Sequence, residues 1–374
     1  MQDTFELLKK ISKVKKISFP PDTQSLNKAD IIINATSIGS KENKDLLCFN
    51  PISELSFNNS IEETIMHNLE ESLTKLKSLM IKFNLLKNLN EIINYYDGFI
   101  IDIWGVLWDG IEPYEYAKAT LEKLKERNKK IILLSNAPRR AKVVSSKLSS
   151  IGIHTTLYDN IVSSGEVCRQ ECLANINKIP SLGKNYYFIG QETDKDIALQ
   201  LEIKEVSSIS KSSFLLVCGT RDFAHTLDNY KEELDEGLKY NLPLVCANPD
   251  KVVIRQNGQL ITCAGILADY YQNNGGKVFR YGKPFEAMYK RSFNILKDLN
   301  SELTLNKILV IGDSLETDIL GANNNKLSSL LVINGIHKHE LNNSKNNEIS
   351  KNCIESLCKK YSAFPNYIIK DFVF

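Results

Sequence analysis

Short apolar segments alternate with helical patterns over most of this sequence, and this alternation constrains the fold more than any other feature. The segments DGFIIDIW (97–104), KKIILLS (129–135) and KILVIGD (307–313) are rich in branched residues and end at turn signals, as buried strands do. After the first of them, Pro113 precedes EYAKATLEKLKER, which has helical spacing. This order predicts an α/β fold with a doubly wound parallel sheet and helices on both faces.

A second strand–helix alternation interrupts the first. The segments YYFIG, SFLLVCG and LPLVCAN all lie between residues 166 and 276, and the first pattern resumes with a strand over 277–282 and a helix over 284–299. An open sheet that carries an inserted domain explains this order. We therefore predict a core formed by residues 91–165 and 277–340, with an inserted α/β domain over residues 166–276.

The two ends of the chain follow neither pattern. Residues 1–90 are predicted to form an N-terminal extension whose fold the pattern does not define. Within it, residues 29–40 contain one short strand, and residues 61–93 have the apolar spacing of one or two helices. Residues 341–374 are expected to be a C-terminal tail that packs on the core or is partly disordered.

The composition is ordinary for a soluble globular protein, with 43% hydrophobic and 25% charged residues. The net charge of +2 does not favour a nucleic-acid partner. Apolar runs such as FLLVC are far shorter than the roughly 20 residues of a membrane-spanning helix. The segment MQDTFELLKKISKVKK lacks the apolar region of a signal peptide, and the eight cysteines show no paired metal spacing. We therefore expect a cytoplasmic protein with reduced thiols and no membrane partner, and homodimerisation is left open.

Two of the predicted strands end in side chains suited to phosphate chemistry. Asp102 ends the first strand, where a carboxylate can attack phosphorus and form an aspartyl-phosphate; an aspartate that only caps the turn is the alternative. Ser135 ends the next strand, where a hydroxyl beside backbone N–H groups suits a phosphoryl oxygen; a plain helix cap is the alternative. Asn136, which follows it, is expected to contact the substrate.

Two further segments place opposite charges at the ends of predicted strands. Lys283 stands just before Pro284, where its ammonium can balance a carboxylate and a phosphate; a solvated lysine before a helix is the alternative. Asp313 and Asp318 lie on either side of a strand-to-helix turn in IGDSLETD. Together with Asp102, these acids predict an oxygen-rich site for Mg²⁺, which usually takes one or two carboxylates, water and substrate phosphate.

The segments DIWGVL, LLSNAPR, GKP and GDSLETD, in this order, resemble the four motifs of the haloacid dehalogenase-like (HAD) superfamily of aspartate-nucleophile phosphohydrolases. DGFIIDIWGVLWDG, VSSGE and CANPD are similar to its class IIA branch, which contains NagD-like sugar-phosphate, pyridoxal-phosphate and phosphoglycolate phosphatases. The resemblance covers roughly residues 92–340. It implies a Rossmann-like core, a type-C2 cap formed by the inserted domain, Mg²⁺ as cofactor and a small phosphorylated metabolite as substrate.

The resemblance also implies a role for each residue that matches a motif. Asp102 would be the nucleophile and a metal ligand, and Ser135 would hold a phosphoryl oxygen. Lys283 would neutralise charge between the nucleophile and the phosphate. Asp313 would bind Mg²⁺, and Asp318 would orient Lys283 or a metal-bound water.

The chain departs from the family pattern two residues after the nucleophile. The family places a second aspartate there as general acid and base, and this chain has Trp104, whose backbone carbonyl would still serve as a metal ligand. Such proton transfer is typically worth about 10²–10⁴-fold in rate, and Asp109 stands too far along the chain to replace the acid simply. Two interpretations therefore stay open: a phosphatase, or a weakly active or inactive phosphate-binding protein.

Residues of the inserted domain are expected to select the substrate. Asn248 and Asp250 lie in a loop that follows a strand, and Arg221 lies in another. Arg221 can grip a substrate anion through two hydrogen bonds, and a surface arginine is the alternative that we prefer slightly. His337 and His339 show no catalytic or metal-binding spacing and are expected to be exposed to solvent.

One N-terminal segment suggests a third interpretation. ADIIINATSIG (29–39) resembles part of the cofactor domain of shikimate dehydrogenases, which would imply an NADP-dependent oxidoreductase. No Gly-x-Gly-x-x-Gly loop precedes the segment, so the part of a dinucleotide site that cradles the phosphates is missing. We therefore interpret the likeness as a remnant or as chance.

Overall fold

The computed structural model describes residues 83–179, 181–254, 260–341 and 351–374 of the chain. The predicted strand over 29–40, with its likeness to shikimate dehydrogenases, and most of the predicted helical segment over 61–93 lie outside these residues. The described residues contain two parallel β-sheets with helices between their strands.

Seven parallel strands form the first sheet. Its spatial order is β1 (Asn84–Leu86), β14 (Tyr367–Ile369), β13 (Ser328–Val332), β12 (Ile308–Gly312), β2 (Gly98–Asp102), β3 (Lys130–Ser135) and β4 (Asn160–Ser163). Every residue of β2 and β12 is buried. A parallel sheet covered on both faces requires such continuous apolar strands, and this is why the two segments are so uniformly apolar in the sequence.

Five parallel strands form the second sheet. Its spatial order is β11 (Val278–Arg280), β8 (Leu244–Cys246), β7 (Phe214–Val217), β5 (Asn185–Ile189) and β6 (Lys204–Glu205). Beside it, β9 (Val252–Ile254) and β10 (Leu260–Thr262) pair in antiparallel fashion. Apolar side chains are buried on both faces of this second sheet as well.

Helices connect the strands of both sheets. The α-helices of the described residues are α1 (Glu115–Glu126), α2 (Ala141–Ser150), α3 (Ser164–Glu171), α4 (Lys231–Lys239), α5 (Ala264–Asn273), α6 (Glu286–Leu299), α7 (Leu320–Asn324), α8 (Lys338–Leu341) and α9 (Lys351–Tyr361). A π-helical turn, Leu315–Ile319, leads into α7. Short 3₁₀ turns occupy Leu89–Glu91, Ile93–Tyr95, Thr155–Leu157, Leu173–Lys178, Glu192–Ile197, Ile209–Lys211, Leu227–Asn229 and Leu305–Lys307.

Three predictions about the elements are wrong. The strand over 277–282 does not resume the first sheet, because β11 pairs with β8 in the second sheet. Residues 84–86 are not helical, because they form β1, which pairs with β14 from the far end of the chain, and only short 3₁₀ turns follow. The C-terminal segment is not a tail: β14 lies between β1 and β13, inside the first sheet. All three depend on pairing partners that local spacing does not reveal.

The α/β class with parallel sheets is confirmed. Most of the strands and helices predicted between residues 97 and 333 are also present, with ends shifted by a few residues. Within the described residues, no helix combines the length and the apolar character that crossing a membrane requires.

Candidate active site

The carboxyl ends of three adjacent strands bring the predicted residues together. β12, β2 and β3 are neighbours in the first sheet and run parallel, so their carboxyl ends lie at one edge. Asp102 and Ser135 are the last residues of β2 and β3, and Asp313 directly follows β12. In an open α/β sheet this edge is where ligands bind.

Three carboxylates meet at this edge. Asp102, Asp313 and Asp318 are each less than a tenth exposed, and each offers a carboxylate oxygen within 4.8 Å of the others. Lys283 is buried among them. Its Nζ lies 2.5 Å from Asp102 Oδ1 and 2.7 Å from Asp318 Oδ1, so one ammonium contacts two of the three acids.

The charges of this cluster do not balance. Burial raises the pKa of Asp102, and Asp318 and Asp313 add to the rise, while Lys283 opposes it. Burial, followed by the charge of Asp318, raises the pKa of Asp313 to about 7. Burial disfavours the charge of Lys283, but the carboxylates of Asp102, Asp318 and Asp250 together raise its pKa well above the usual value. The cluster therefore favours additional positive charge, from protons or from a cation.

Backbone groups hold the two acids of the fourth motif. Asp313 Oδ2 accepts a hydrogen bond from the N–H of Ile336 at 2.7 Å, and Asp318 Oδ2 accepts one from the N–H of Ser314 at 3.2 Å. The side chain of Ser314 accepts from the N–H of Thr317 and caps the π-helical turn. These bonds fix the directions of the two carboxylates.

Two glycines let the backbone approach Asp313 closely. A Cβ atom on Gly105 would lie 2.0 Å from Asp313 Oδ2, and one on Gly335 would lie 2.1 Å from the same atom. Gly105 also has a φ of +84°, which side chains with a Cβ rarely adopt. The turn after β2 therefore requires glycine for two separate reasons.

His337 is buried, and the prediction that it is exposed to solvent is wrong. Only 4% of the residue is exposed. Its Nε2 accepts a hydrogen bond from the N–H of Leu315 at 3.0 Å, and its Nδ1 lies 2.7 Å from Glu340. Glu340 in turn contacts Lys360 of α9. The side chain of His339 lies outside the described residues.

Ser135 and Asn136 begin the loop after β3. The Oγ of Ser135 accepts a hydrogen bond from the N–H of Ala137 at 3.1 Å. Asn136 Oδ1 accepts from the backbone N–H of Lys283 at 2.6 Å, and its amide nitrogen donates to Asp250 at 2.7 Å. Asn136 is predicted to contact the substrate. In the structure it connects the backbone of Lys283 to Asp250, which lies in the loop after β8 of the second sheet.

Trp104 occupies the position two residues after Asp102. Its ring lies 5.1 Å from that of Trp108, measured between centroids, at an interplanar angle of 63°. The Oδ1 of Asp109 accepts hydrogen bonds from the N–H groups of Ile111 and Glu112, both at 2.8 Å. This oxygen therefore stabilises the turn in which Asp109 lies.

A cleft of about 730 Å³ opens over the acids and is lined from both sheets. The first sheet contributes the acid cluster, Ser135 and the turn that contains Trp104. The loops of the second sheet contribute Asn248, Asp250 and Phe223. Asn248 Oδ1 accepts from the N–H of Asp250 at 3.0 Å, and burial raises the pKa of Asp250.

Arg221 does not line this cleft. Its two terminal nitrogens each lie 2.7 Å from an oxygen of Glu233, so the bidentate partner of this guanidinium is within the protein. The hydrogen bonds that Arg221 donates to Glu233 raise the pKa of Arg221, although burial acts in the opposite direction. The structure therefore gives Arg221 a structural partner in place of the predicted substrate anion.

The donor set at the edge fits a divalent cation. It consists of buried carboxylate oxygens, which are hard ligands of the kind that Mg²⁺ prefers. One ammonium against three carboxylates would leave two negative charges if all the groups were ionised. The group of residues is thus suited to Mg²⁺ in both ligand type and charge.

The sequence reasoning missed two residues of this region. His337 supports the turn between Asp313 and Asp318, and Phe223 lines the cleft from the second sheet. The spacing of His337 and Glu340, three residues apart at the start of a helix, is a signal that could have indicated a pair. No local pattern distinguishes Phe223 from other loop phenylalanines.

Family profiles and known proteins are similar to the parts of the chain that form the two sheets. A sequence profile described as haloacid dehalogenase-like hydrolase matches residues 99–204, and one described as HAD-hydrolase-like matches residues 280–359. The 4-nitrophenylphosphatase of Schizosaccharomyces pombe is 25% identical over 278 residues, which are 68% of this chain and 89% of the relative.

Solved structures share the architecture. A haloacid dehalogenase-like hydrolase from Brucella suis superposes with a TM-score of 0.66 at 28% identity, over 77% of this chain and 100% of its own. Glycerol phosphate phosphatase from Mycobacterium tuberculosis, solved in complex with magnesium, superposes with a TM-score of 0.54 at 20% identity. It covers 75% of this chain and 76% of its own, a likeness that concerns the fold alone.

Proposed function

Since this chain belongs to the haloacid dehalogenase-like hydrolases, in their class IIA branch, we propose that it is a Mg²⁺-dependent phosphatase of a small phosphorylated metabolite, with Asp102 as the nucleophile. The observation that carries the proposal is the buried contact of Lys283 with Asp102 and Asp318 beside Asp313. Two of the proteins named above, from Schizosaccharomyces pombe and Mycobacterium tuberculosis, are themselves phosphatases.

The proposed reaction has two steps. A carboxylate oxygen of Asp102 attacks phosphorus as the ester P–O bond breaks, and the leaving group departs with the bonding electrons. Water then attacks the phosphorus of the aspartyl-phosphate, which releases phosphate and restores the carboxylate. Lys283 balances negative charge beside the nucleophile, and the hydroxyl of Ser135 donates to a phosphoryl oxygen.

Asp102, Asp313 and the backbone carbonyl of Trp104 would hold Mg²⁺. The ion supplies charge neutralisation at the phosphoryl oxygens. Asp318 is a positioning residue: its contact with Lys283 at 2.7 Å and its bond from the N–H of Ser314 fix the ammonium next to Asp102.

The unit built on the second sheet is proposed to act as a cap. Asn248, Asp250 and Phe223 from its loops line the cleft over Asp102. A cap in this place excludes water from the reacting phosphate and selects the leaving group. Because β11 belongs to the second sheet, we place the return from cap to core after Arg280.

A phosphate-binding protein without catalytic turnover is the second candidate, and Trp104 at the acid position is the observation that favours it. The phosphatase relatives and the complete set of Asp102, Lys283, Asp313 and Asp318 favour the enzyme.

The test is a screen of phosphorylated metabolites with Mg²⁺, in which phosphate release by the native chain is compared with that by Asp102→Asn. The asparagine is isosteric and cannot attack phosphorus effectively. We expect release by the native chain, loss of release with EDTA, and no release by the variant at an unchanged circular dichroism spectrum. Phosphate release by a folded Asp102→Asn at the native rate would contradict the proposal.

A further inference from the structure

We propose that the alcohol esterified to the phosphate is a planar aromatic one, and that Trp104, Trp108 and Phe223 recognise its ring. This inference rests on the proposed phosphatase function and names the substrate class of the same cleft. Two observations support it: aromatic side chains line the cleft, and neighbouring polar side chains already form hydrogen bonds within the protein.

The tryptophans are concentrated at one place. The chain of 374 residues contains two, and both stand in the turn that follows the nucleophile, partly buried and lining the cleft. Their rings meet edge to face. The ring of Trp104 also packs on Gly110, where a Cβ atom would lie 2.5 Å from it, and the ammonium of Lys147 lies 5.4 Å from the ring centroid of Trp108. The two rings therefore form a fixed wall.

A third aromatic side chain reaches the same cleft from the second sheet. Phe223 follows β7 in a loop and is 42% exposed, although it lines the cleft. Val253 and Ile261, on the antiparallel pair, line the cleft as well. An apolar wall of this kind binds a ring by contact and by the edge or offset-face geometry that aromatic groups prefer.

Three polar side chains near this wall, those of Asp109, Asn136 and Asn248, are already bonded within the protein. Asp109 accepts from two backbone N–H groups of its turn. Asn136 joins Lys283 to Asp250, and Asn248 accepts from the N–H of Asp250. A site for a sugar must satisfy several hydroxyl groups, and a buried hydroxyl without a partner is unfavourable. The described walls thus suit a ring better than a sugar.

The chemistry of position 104 agrees with this geometry. An aryl alcohol leaves as a stabilised anion and does not require the proton that the missing acid would give. Acetyl phosphate, an acyl phosphate, shares this property but carries no ring. Comparing the two classes therefore separates recognition of the ring from the requirement for a proton.

The experiment measures kcat/KM for 2-naphthyl phosphate and for acetyl phosphate in the native chain, in Phe223→Ala and in Tyr240→Ala. Tyr240 is an exposed aromatic residue outside the cleft lining and serves as the matched control. We expect Phe223→Ala to lower kcat/KM for 2-naphthyl phosphate roughly tenfold, with acetyl phosphate changed less than about twofold and Tyr240→Ala without effect on either. Equal losses for both substrates, or none, in a chain that hydrolyses both would overturn the inference.

A binding measurement keeps the test independent of turnover. All tryptophan fluorescence of this chain comes from Trp104 and Trp108. In the Asp102→Asn variant, 4-nitrophenyl phosphate should quench this fluorescence in a saturable way that inorganic phosphate does not reproduce, and Phe223→Ala should weaken the saturation. Failure of every phosphate ester to be hydrolysed would contradict the proposed function, whereas absence of saturable quenching would contradict the aromatic site.

Discussion

We expect Trp104 to restrict which leaving groups the site can release. It stands where an acid would protonate the departing oxygen, so an alkyl phosphate, whose alkoxide needs that proton, should react slowly, and an aryl or acyl phosphate should react faster. We expect Trp104→Asp to raise kcat/KM for an alkyl phosphate by about 10- to 100-fold, within the range that general acid catalysis supplies. The measurement compares an alkyl and an aryl phosphate in both variants, after each is shown to be folded.

Trp104→Asn is the matched control, because asparagine has the shape of aspartate and no acidic proton. It should lose the same aromatic packing and gain no alkyl-phosphate activity. Rapid alkyl-phosphate turnover by the native chain, unchanged or lowered by Trp104→Asp, would show that another residue supplies the proton. Asp250 would be the first to test, since it lines the cleft and burial raises its pKa.

We expect His337 to make the stability of the protein depend on pH. Burial lowers the pKa of His337 below 6.5, and the charge of Lys360 lowers it further. Glu340 and Glu316 act in the opposite direction. The ring of Tyr361 packs against the imidazole of His337. Because the folded state disfavours the charged form, only the unfolded chain takes up this proton as pH falls below about 6.5. His337 should therefore reduce the free energy of unfolding by up to about 1.4 kcal/mol per pH unit in that range.

The measurement is urea unfolding of the native chain and of His337→Gln between pH 7.5 and 5.5. Glutamine can accept from the N–H of Leu315 but does not titrate, so the variant should lose less stability across this range. The pKa of Glu340 is lowered, which places its titration below the range. Identical pH slopes in the two proteins would show that His337 does not contribute.

At the scale of residues, the sequence could predict those that stand at strand ends. Asp102, Ser135 and Asp313 converge because parallel strands place their carboxyl ends on one edge, and that rule needs only the order of elements. The rule does not place Lys283, because it follows β11 of the second sheet. It could not predict the partner of Arg221 or the burial of His337, because Glu233 and Leu315 meet them through tertiary packing.

At the scale of elements, the turn after β2 controls the geometry of the acids. Gly105 has a positive φ, and a Cβ atom at this position would lie 2.0 Å from Asp313 Oδ2, so it must displace the carboxylate. We expect Gly105→Ala to lower Mg²⁺-dependent phosphatase activity by about 100-fold, since a displacement of about 1 Å at a reacting group has such an effect.

Gly152→Ala separates the two effects. Gly152 has a φ of +89°, and nothing lies within 4 Å of the position of its Cβ. The Gly152→Ala variant should therefore lose about 1 kcal/mol in its free energy of unfolding through backbone strain and keep full activity. Equal activity losses in both variants, or none in Gly105→Ala, would contradict the contact as the cause.

The elements that the sequence identified correctly are those defined by local pattern. α1 and α6 have amphipathic spacing, and β2 and β12 are continuous apolar runs. β1 and β11 were misassigned because their place depends on which strand they pair with. Such pairing is a long-range choice that neither residue type nor spacing decides.

At the scale of the whole molecule, the last residues of the chain complete the first sheet. Ile368 of β14 is fully buried between the neighbouring strands β1 and β13. We expect Ile368→Ala to lower the free energy of unfolding by about 2–5 kcal/mol, as for other buried large-to-small replacements. Urea unfolding measures it, with the exposed Lys370→Ala as a control expected to change stability by less than about 0.5 kcal/mol.

If Ile368→Ala changed the free energy of unfolding as little as Lys370→Ala, β14 would not be part of the cooperative core. The result bears on the site as well, because β13 lies between β14 and β12, and β12 leads directly into Asp313. The sheet that presents the acids therefore combines strands that are far apart in the sequence, from β1 at residue 84 to β14 at residue 369.

The cleft is lined by residues from both sheets. We propose that the reaction in it begins with attack of Asp102 on phosphorus. The most direct test is to mix the enzyme with 4-nitrophenyl phosphate and Mg²⁺, quench in acid within the first turnover, and locate the phosphoryl group by peptide mass spectrometry. We expect a phosphorylated peptide that contains Asp102 and that is absent from Asp102→Asn. Hydroxylamine should remove its phosphate, as it does from an acyl phosphate. A phosphoryl group found on Ser135, or release of the first equivalent of 4-nitrophenol in a burst that leaves Asp102 unmodified, would contradict it.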